Sequence, residues 1–249
     1  MLIHYKKPEG ILANYIDHFW EKKMENEADI PYEVETIFPE DQVVITFSLG
    51  NAYFRAVQTP KDFQPIEGAI IESLHTFPTY YKHQVGNHIF GIKFKLGGLA
   101  CFCSVPFKNF NNTNADISHF LGTSLVGLIS IIKNSNSFEE RIGLFEQFIS
   151  PLLLENRTKK WERLNKFVEL LESEHQEINA ALYKTITRSF IELTGITPKE
   201  YLQIKRINQS LAYFAQNKSS KNQELAEMLG FYDTAHFNHT FKKFTGKTP

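Results

Sequence analysis

The last twenty residues, Gly230 to Pro249 (GFYDTAHFNHTFKKFTGKTP), constrain the fold more than any other stretch of the chain. Gly230 supplies the positive φ that a tight helix–helix turn requires, and Asp233 stands where a side-chain oxygen would cap the free amides of a following helix. Phe237, Phe241 and Phe244 then fall at i, i+4 and i+7, which gathers three rings on one buried stripe and turns Thr234, Ala235, Asn238 and His239 outward. Gln223 to Leu229 (QELAEML) has helical spacing as well, so the pair is expected to be helix, Gly turn, helix, with the second helix shaped to enter a DNA major groove. An ordinary helical hairpin with a Phe core is the plainer alternative.

The order GF, a spacer and Asp, an aromatic core, FKK, then Gly and a nearby Pro resembles the signature of the AraC/XylS family of transcription regulators. The ending recurs: Phe241, Gly246 and Pro249 are spaced like Phe190, Gly195 and Pro198. Such a repeat implies two tandem reading heads, the arrangement expected of that family. Between them Pro198 to Ala215 starts with Pro at a helix N1 position after Thr197 and places Tyr201, Ile204, Ile207, Leu211 and Phe214 at helical spacing. About 18 residues at 1.5 Å each give a rod of roughly 27 Å, comparable with the ~34 Å repeat of B-DNA.

The resemblance implies base reading by Asn238 and His239, with Thr234 and Ala235 near thymine methyls or backbone. His239 stands where the family often has Arg, and an imidazole offers one hydrogen bond instead of a fork. Aligned on the second copy, the first head would read through Lys184, Thr187 and Arg188; an exposed basic pair that keeps a helix soluble is the alternative for Lys184 and Arg188. The segment ahead of it, Glu172 to Ala181 (ESEHQEINAA), is acidic and lacks the Gly turn, a departure from the family pattern. Lys205, Arg206, Lys242 and Lys243 are candidates for phosphate contact, Arg206 having core support as an equal alternative.

Charge is divided in the same way. The whole chain carries a net −1, yet from residue 180 onward ten Lys or Arg face five Asp or Glu, which leaves the first 179 residues acidic. A basic end is the electrostatic footprint of a nucleic-acid partner.

The remainder reads as β-rich. Val43 to Leu49, Ala52 to Val57, Ala69 to Leu74, Thr79 to Gln84 and His88 to Lys95 are strand candidates, separated by turn signals at Gly50-Asn51, Pro60, Pro65 to Gly68, Pro78 and Gly86-Asn87. FPED (Phe38 to Asp41), Gly68, GIKFKLGGLA (Gly91 to Ala100) and VPF (Val105 to Phe107) resemble a poorly characterised sensor domain that precedes AraC-type heads, with Leu96 where that domain usually has Pro. From about Ile117 to Leu154 the period turns helical, predicting two amphipathic helices that pack on the β part or against a second copy.

These readings predict an α+β chain: a barrel-like β-rich sensor with trailing helices over residues 1–154, and an all-α domain with two helix-turn-helix motifs over residues 155–249. The partners expected are double-stranded DNA, a small-molecule effector in the N-terminal domain, a second copy of the chain and RNA polymerase. Control by a protein partner is the alternative to an effector. A cytoplasmic location and no membrane contact are expected, since no run reaches ~18 apolar residues and the start lacks the apolar run of a signal peptide. The chain ends at Pro249, where relatives of this type usually continue, so it is expected to be naturally short or trimmed.

Catalysis is not expected. His75, His83 and His88 lie on or near neighbouring strand candidates, but the HxH pair of a cupin-like metal enzyme is absent from the sequence, as are P-loop and nucleophile-triad motifs. Cys101 and Cys103 have no second pair with which to build a zinc site and are expected as buried small side chains. No cofactor or metal is expected.

Overall fold

Fifteen consecutive residues, Val43–Val57, form the strand around which the N-terminal half is assembled. In the computed structural model, which describes residues 2–112, 114–116, 118–122, 125–173, 178–217 and 222–249, this strand is β4. The other strands are β1 (Leu2–Lys6), β2 (Ile16–Lys23), β3 (Glu35–Ile37), β5 (Gln64–Glu72), β6 (Thr79–Lys82), β7 (His88–Phe94) and β8 (Asn114–Asp116). They hydrogen-bond in the order β1-β2-β7-β4-β5-β8, with β6 on the far half of β4 and β3 on β6, all antiparallel. The result is a half-barrel with two unlike faces.

Alternation along the strands decides what each face meets. Phe19, Phe47, Phe90 and Phe94 point to one side, where α3 (Phe138–Ile149) drives Phe145 among them at ring distances near 6.3–6.5 Å. A fully buried Phe contributes roughly 1.5–3 kcal/mol, so this cluster anchors the sheet. Arg141 of α3 enters the same layer, where its Nη1 donates to Glu21 of β2 at 3.0 Å and its Nη2 to the Ser135 carbonyl at 2.7 Å. A buried charge is tolerable there because it is paired. The short α1 (Ser118–Leu121) and α2 (Leu125–Asn134), which buries Leu125, Leu128 and Ile132, complete this cover. The trailing helices therefore pack on their own sheet, and Ile117, where helical periodicity was expected to begin, lies outside the described residues.

Two expected turns are strand. Gly50 and Asn51 continue β4, with a register irregularity between Ser48 and Tyr53 in place of a reversal. Gly50 is needed because a Cβ would stand 2.2 Å from the Gly86 carbonyl oxygen of the neighbouring loop. Pro65 to Gly68 belong to β5 and pair with β4. Among the described residues β8 reaches only Ile70 to Glu72, so Pro65 sits where the outer side of β5 is unpaired and its missing N–H breaks no ladder. Sequence reading passed over β1, β2, β3 and β8, two of which are only three residues long.

The C-terminal part is all helix: α4 (Glu155–Glu172), α5 (Ala180–Thr194), α6 (Pro198–Gln216), α7 (Asn222–Met228) and α8 (Thr234–Thr245). One apolar core runs from the sheet through α3 and α4 into these helices. The joint is closely fitted. Trp161 of α4 donates its indole N–H to the Leu96 carbonyl at 3.0 Å, and Gly97 (φ 68°) lies so near Leu164 that a Cβ would meet it at 2.8 Å.

Candidate nucleic-acid interface

The second head is built by its caps. Helix α7 stops at Gly230 (φ 69°), where the Phe231 N–H bonds back to the Ala226 carbonyl and the Gly230 N–H to that of Glu227, the paired bonds of a Schellman ending. Asp233, extended at φ −157°, then accepts the His236 N–H at 2.7 Å and starts α8. Phe237, Phe241 and Phe244 are buried as their spacing predicts. Phe231 packs against Phe237 at 5.1 Å, and the Arg206 guanidinium lies 5.7 Å from the Phe231 ring. Helix α8 ends on Gly246 (φ 76°) with Lys242 and Lys243 exposed in its last turn.

On the outer edge of α8, Ala235 and His239 are exposed, whereas Thr234 and Asn238 are half-buried. Asn238 faces less freely outward than expected, and its Oδ1 is buried without a hydrogen-bond partner among the described residues. The four still share one edge of a single helix, one turn ahead of Lys242.

The first head differs. Only residues 173–179 separate α4 from α5, and 174–177 lie outside the described residues, so the acidic stretch between Glu172 and Ala181 is described only at its ends. Asn179 caps α5 by accepting the Leu182 N–H at 2.9 Å. Lys184 and Arg188 are exposed and Thr187 is half-buried, its hydroxyl bonded to the Tyr183 carbonyl at 2.9 Å. The endings of α5 and α8 do match: Gly195 and Gly246 are both left-handed caps, and Thr194 and Thr245 are both buried with their hydroxyls bonded to the carbonyls of Phe190 and Phe241. The Thr pair was a further sign of the repeat in the sequence, one that a spacing of Phe, Gly and Pro alone left unused.

Between the heads, α6 begins with a full capping box, Thr197 with Glu200, and Pro198 at N1. Two of its cations have partners inside the molecule. Lys205 pairs with Glu172 at 3.0 Å, a carboxylate that also accepts the Tyr201 hydroxyl at 2.5 Å. Arg206 is held by the Phe231 ring and lies close to Gly230. Both brace helix junctions, while Lys242 and Lys243 are exposed, the Lys243 ammonium 5.1 Å from the ring of its neighbour Phe244.

The other face of the half-barrel holds a cavity of about 270 Å³ that is open to solvent. Trp20, Tyr53, Tyr81 and Ile89 give it apolar walls, and Lys22, Glu35, His83 and Lys93 stand around it. Glu35 accepts from His83 Nε2 at 2.8 Å and from Lys22 Nζ at 3.0 Å, and the His83 bond first, then the ammonium, hold its carboxyl down at about 2 against the opposing effect of burial. His83 Nδ1 is buried without a partner among the described residues. Behind Tyr81, Arg55 donates from Nε to the Tyr81 hydroxyl at 2.9 Å and lies 2.6 Å from His75 Nε2, and Tyr81 donates to Glu72. Burial, and then the Arg55 charge, push His75 down to about 3.

Among the described residues no group of three His, Cys, Asp or Glu is placed to hold a metal ion. Cys101 and Cys103 are buried free thiols, pushed up to about 12 chiefly by burial. Among the described residues no helix is long and apolar enough to cross a membrane.

Comparison with known proteins matches the two ends of the chain to different families. Residues 178–249 match the family model of a helix-turn-helix domain, and residues 4–116 match that of a domain of unknown function, DUF6597. A 64-residue stretch is 38% identical to the uncharacterized HTH-type transcriptional regulator YidL of Escherichia coli K12; the match covers 26% of this chain and 21% of YidL. Among solved structures, ToxT from Vibrio cholerae O395 aligns over 93% of this chain and 94% of its own at 12% identity with a TM-score of 0.39. The AraC-like transcriptional activator CuxR aligns over 97% and 80% at 9% identity with a TM-score of 0.30.

Proposed function

We propose that this chain, an AraC/XylS-type regulator in fold with a β-rich N-terminal part and a C-terminal helix-turn-helix domain, is a sequence-specific DNA-binding transcriptional regulator and not an enzyme. The observation that carries this reading is the second head: a helix capped at Asp233, seated on three buried Phe rings, presenting a short polar edge that ends in two exposed lysines. A helix of that build enters a major groove with base-sized side chains forward and positive charge beside the phosphates. Asn238 and His239 are assigned to bases, Thr234 and Ala235 to the groove wall, and Lys242 and Lys243 to phosphates. Lys184, Thr187 and Arg188 of α5 form the corresponding edge of the first head. At about 1.5 Å per residue α6 is about 28 Å long, which suits heads in successive turns of one duplex face.

Residues 1–154 form the sensor in this reading and 155–249 the DNA-binding domain. The cavity over Trp20, lined also by His83 with its unpartnered Nδ1, supports a small-molecule effector over control by a protein partner. Cytoplasmic residence and contact with RNA polymerase follow from the same function. Val126 and Ile131, each exposed on α2, are assigned to contact with a second copy. Footprinting on genomic fragments captured by the purified chain tests the function: protection of two adjacent major-groove segments on one face of the duplex is expected. Uniform, salt-labile retention of all fragments with no footprint would reject it.

A further inference from the structure

Strand register lays out the floor of the cavity. His18, Trp20 and Lys22 of β2 lie beside Lys93, Gly91 and Ile89 of β7, and Val44 and Thr46 of β4 border β7 on the other side. Position 91 is glycine because the Trp20 indole fills the space above it: a Cβ there would stand 2.1 Å from the ring. The indole thus lies across the sheet as a flat apolar surface. Lys22 is at one end of it and Lys93 at the other, four residues or about 13 Å apart along β7.

Across the cavity run β3 and the segment after it, through Glu40. Two ion pairs tie this strap to the floor, Lys22 to Glu35 at 3.0 Å and Lys93 to Glu40. In each pair the lysine is the less exposed side chain: Lys22 is 10% exposed against 30% for Glu35, and Lys93 is 17% against 46% for Glu40. An entering molecule meets a ring-sized apolar floor and ammonium groups whose carboxylate partners are the more exposed. Glu72, the third carboxylate of the lining, is taken up by the Tyr81 hydroxyl, so the two lysines are the groups that would draw an anion. The back of the strap faces the connector helix, where the Pro39 carbonyl accepts from Asn208 Nδ2 at 3.1 Å and Lys205 is the charge that most opposes the effect of burial on Asp41.

We propose that the cavity binds a small aromatic carboxylate, its ring on Trp20 and its acid group replacing Glu40 as the partner of Lys93, so that the strap loosens its hold on α6. The last step rests on the regulator reading; the site and its ligand class stand on the cavity alone.

Calorimetric titration of the full chain with 3-phenylpropionate, 3-phenylpropanamide and 3-phenylpropylamine tests the class, because the three share a ring and chain length and differ in charge. The acid is expected to bind, and the amide and amine to bind roughly tenfold or more weakly. Lys93→Met should abolish the preference for acid over amide. Glu40→Gln removes the internal competitor from an exposed position and should tighten the acid, which keeps the test independent of how well the lysine variant folds. Strongest binding by the amine, or no binding by any of the three at millimolar concentration, overturns the site whether or not the chain binds DNA. Acid binding that leaves affinity for a selected operator unchanged overturns the coupling to α6 and leaves the site standing. A chain that binds the acid but no DNA overturns the regulator reading instead.

Discussion

At the scale of single residues, the second head separates specificity from affinity. His239 is exposed on the edge of α8 without a charged partner among the described residues, and Lys243 is exposed in its last turn. His239→Ala should therefore reorder affinities at one or two base pairs and leave the salt dependence almost unchanged, whereas Lys243→Ala should weaken all duplexes alike and reduce the salt slope by about 1. Fluorescence anisotropy on a set of single-base operator variants at several salt concentrations reads both. An unchanged ranking for His239→Ala would place the reading edge elsewhere. Asp233 acts on stability instead: its carboxylate holds the His236 amide, and Asp233→Ala should cost about 0.5–2 kcal/mol in urea denaturation. A coincident unfolding curve would remove that role.

At the scale of elements, the two left-handed caps are alike in backbone and unlike in surroundings. Gly195 sits against the Phe107–Lys108 backbone, where a Cβ would stand 2.8 Å from the Lys108 nitrogen, while at Gly246 the nearest atom is the Tyr80 hydroxyl at 3.1 Å. Both alanine variants pay for a positive φ, at roughly 1 kcal/mol or more, but Gly195→Ala must also displace backbone and should lower the melting temperature further than Gly246→Ala. Equal shifts would show that the joint yields. The same contrast explains what was legible in the sequence. Caps and helical stripes are local, so Asp233, Thr197 with Pro198, and Phe237, Phe241 and Phe244 announced their roles. The course of β4 through Gly50-Asn51 and of β5 through Pro65 depends on neighbours distant in sequence, and turn chemistry pointed the wrong way at both. Lys205 read as a phosphate contact, and Arg206 as a phosphate contact or a core support alike, because nothing local reveals that Glu172 and Phe231 meet them.

At the scale of the whole molecule, sensor and heads share one core, and the cavity lies near the strap that touches α6. The charged network behind that cavity makes stability depend on pH. His75 and Glu35 are both depressed in the folded state, to about 3 and about 2, so the unfolded chain binds more protons than the folded one as pH falls. Stability is full above about pH 6.5, declines first as unfolded His75 takes up its proton, and declines again below about 4.5 as Glu35 begins to be protonated in the unfolded chain. Replacing His75 with Gln should remove the upper part of that decline in urea titrations between pH 7 and 5; a parallel decline in the variant would show that His75 does not cause it. The cavity's charge pairs were not legible in advance, since Lys22 and Glu35 come from β2 and β3, which went unforeseen, and His83 from the residue after β6. The most direct measurement of the central claim is selection from random duplexes by the full chain, followed by a salt titration on the enriched sequence. A regulator with two heads on one connector enriches a bipartite motif with half-sites about one helical turn apart, and its affinity persists at physiological salt. A pool that stays random, with binding lost by moderate salt, would mean that the polar edge of α8 does not read DNA.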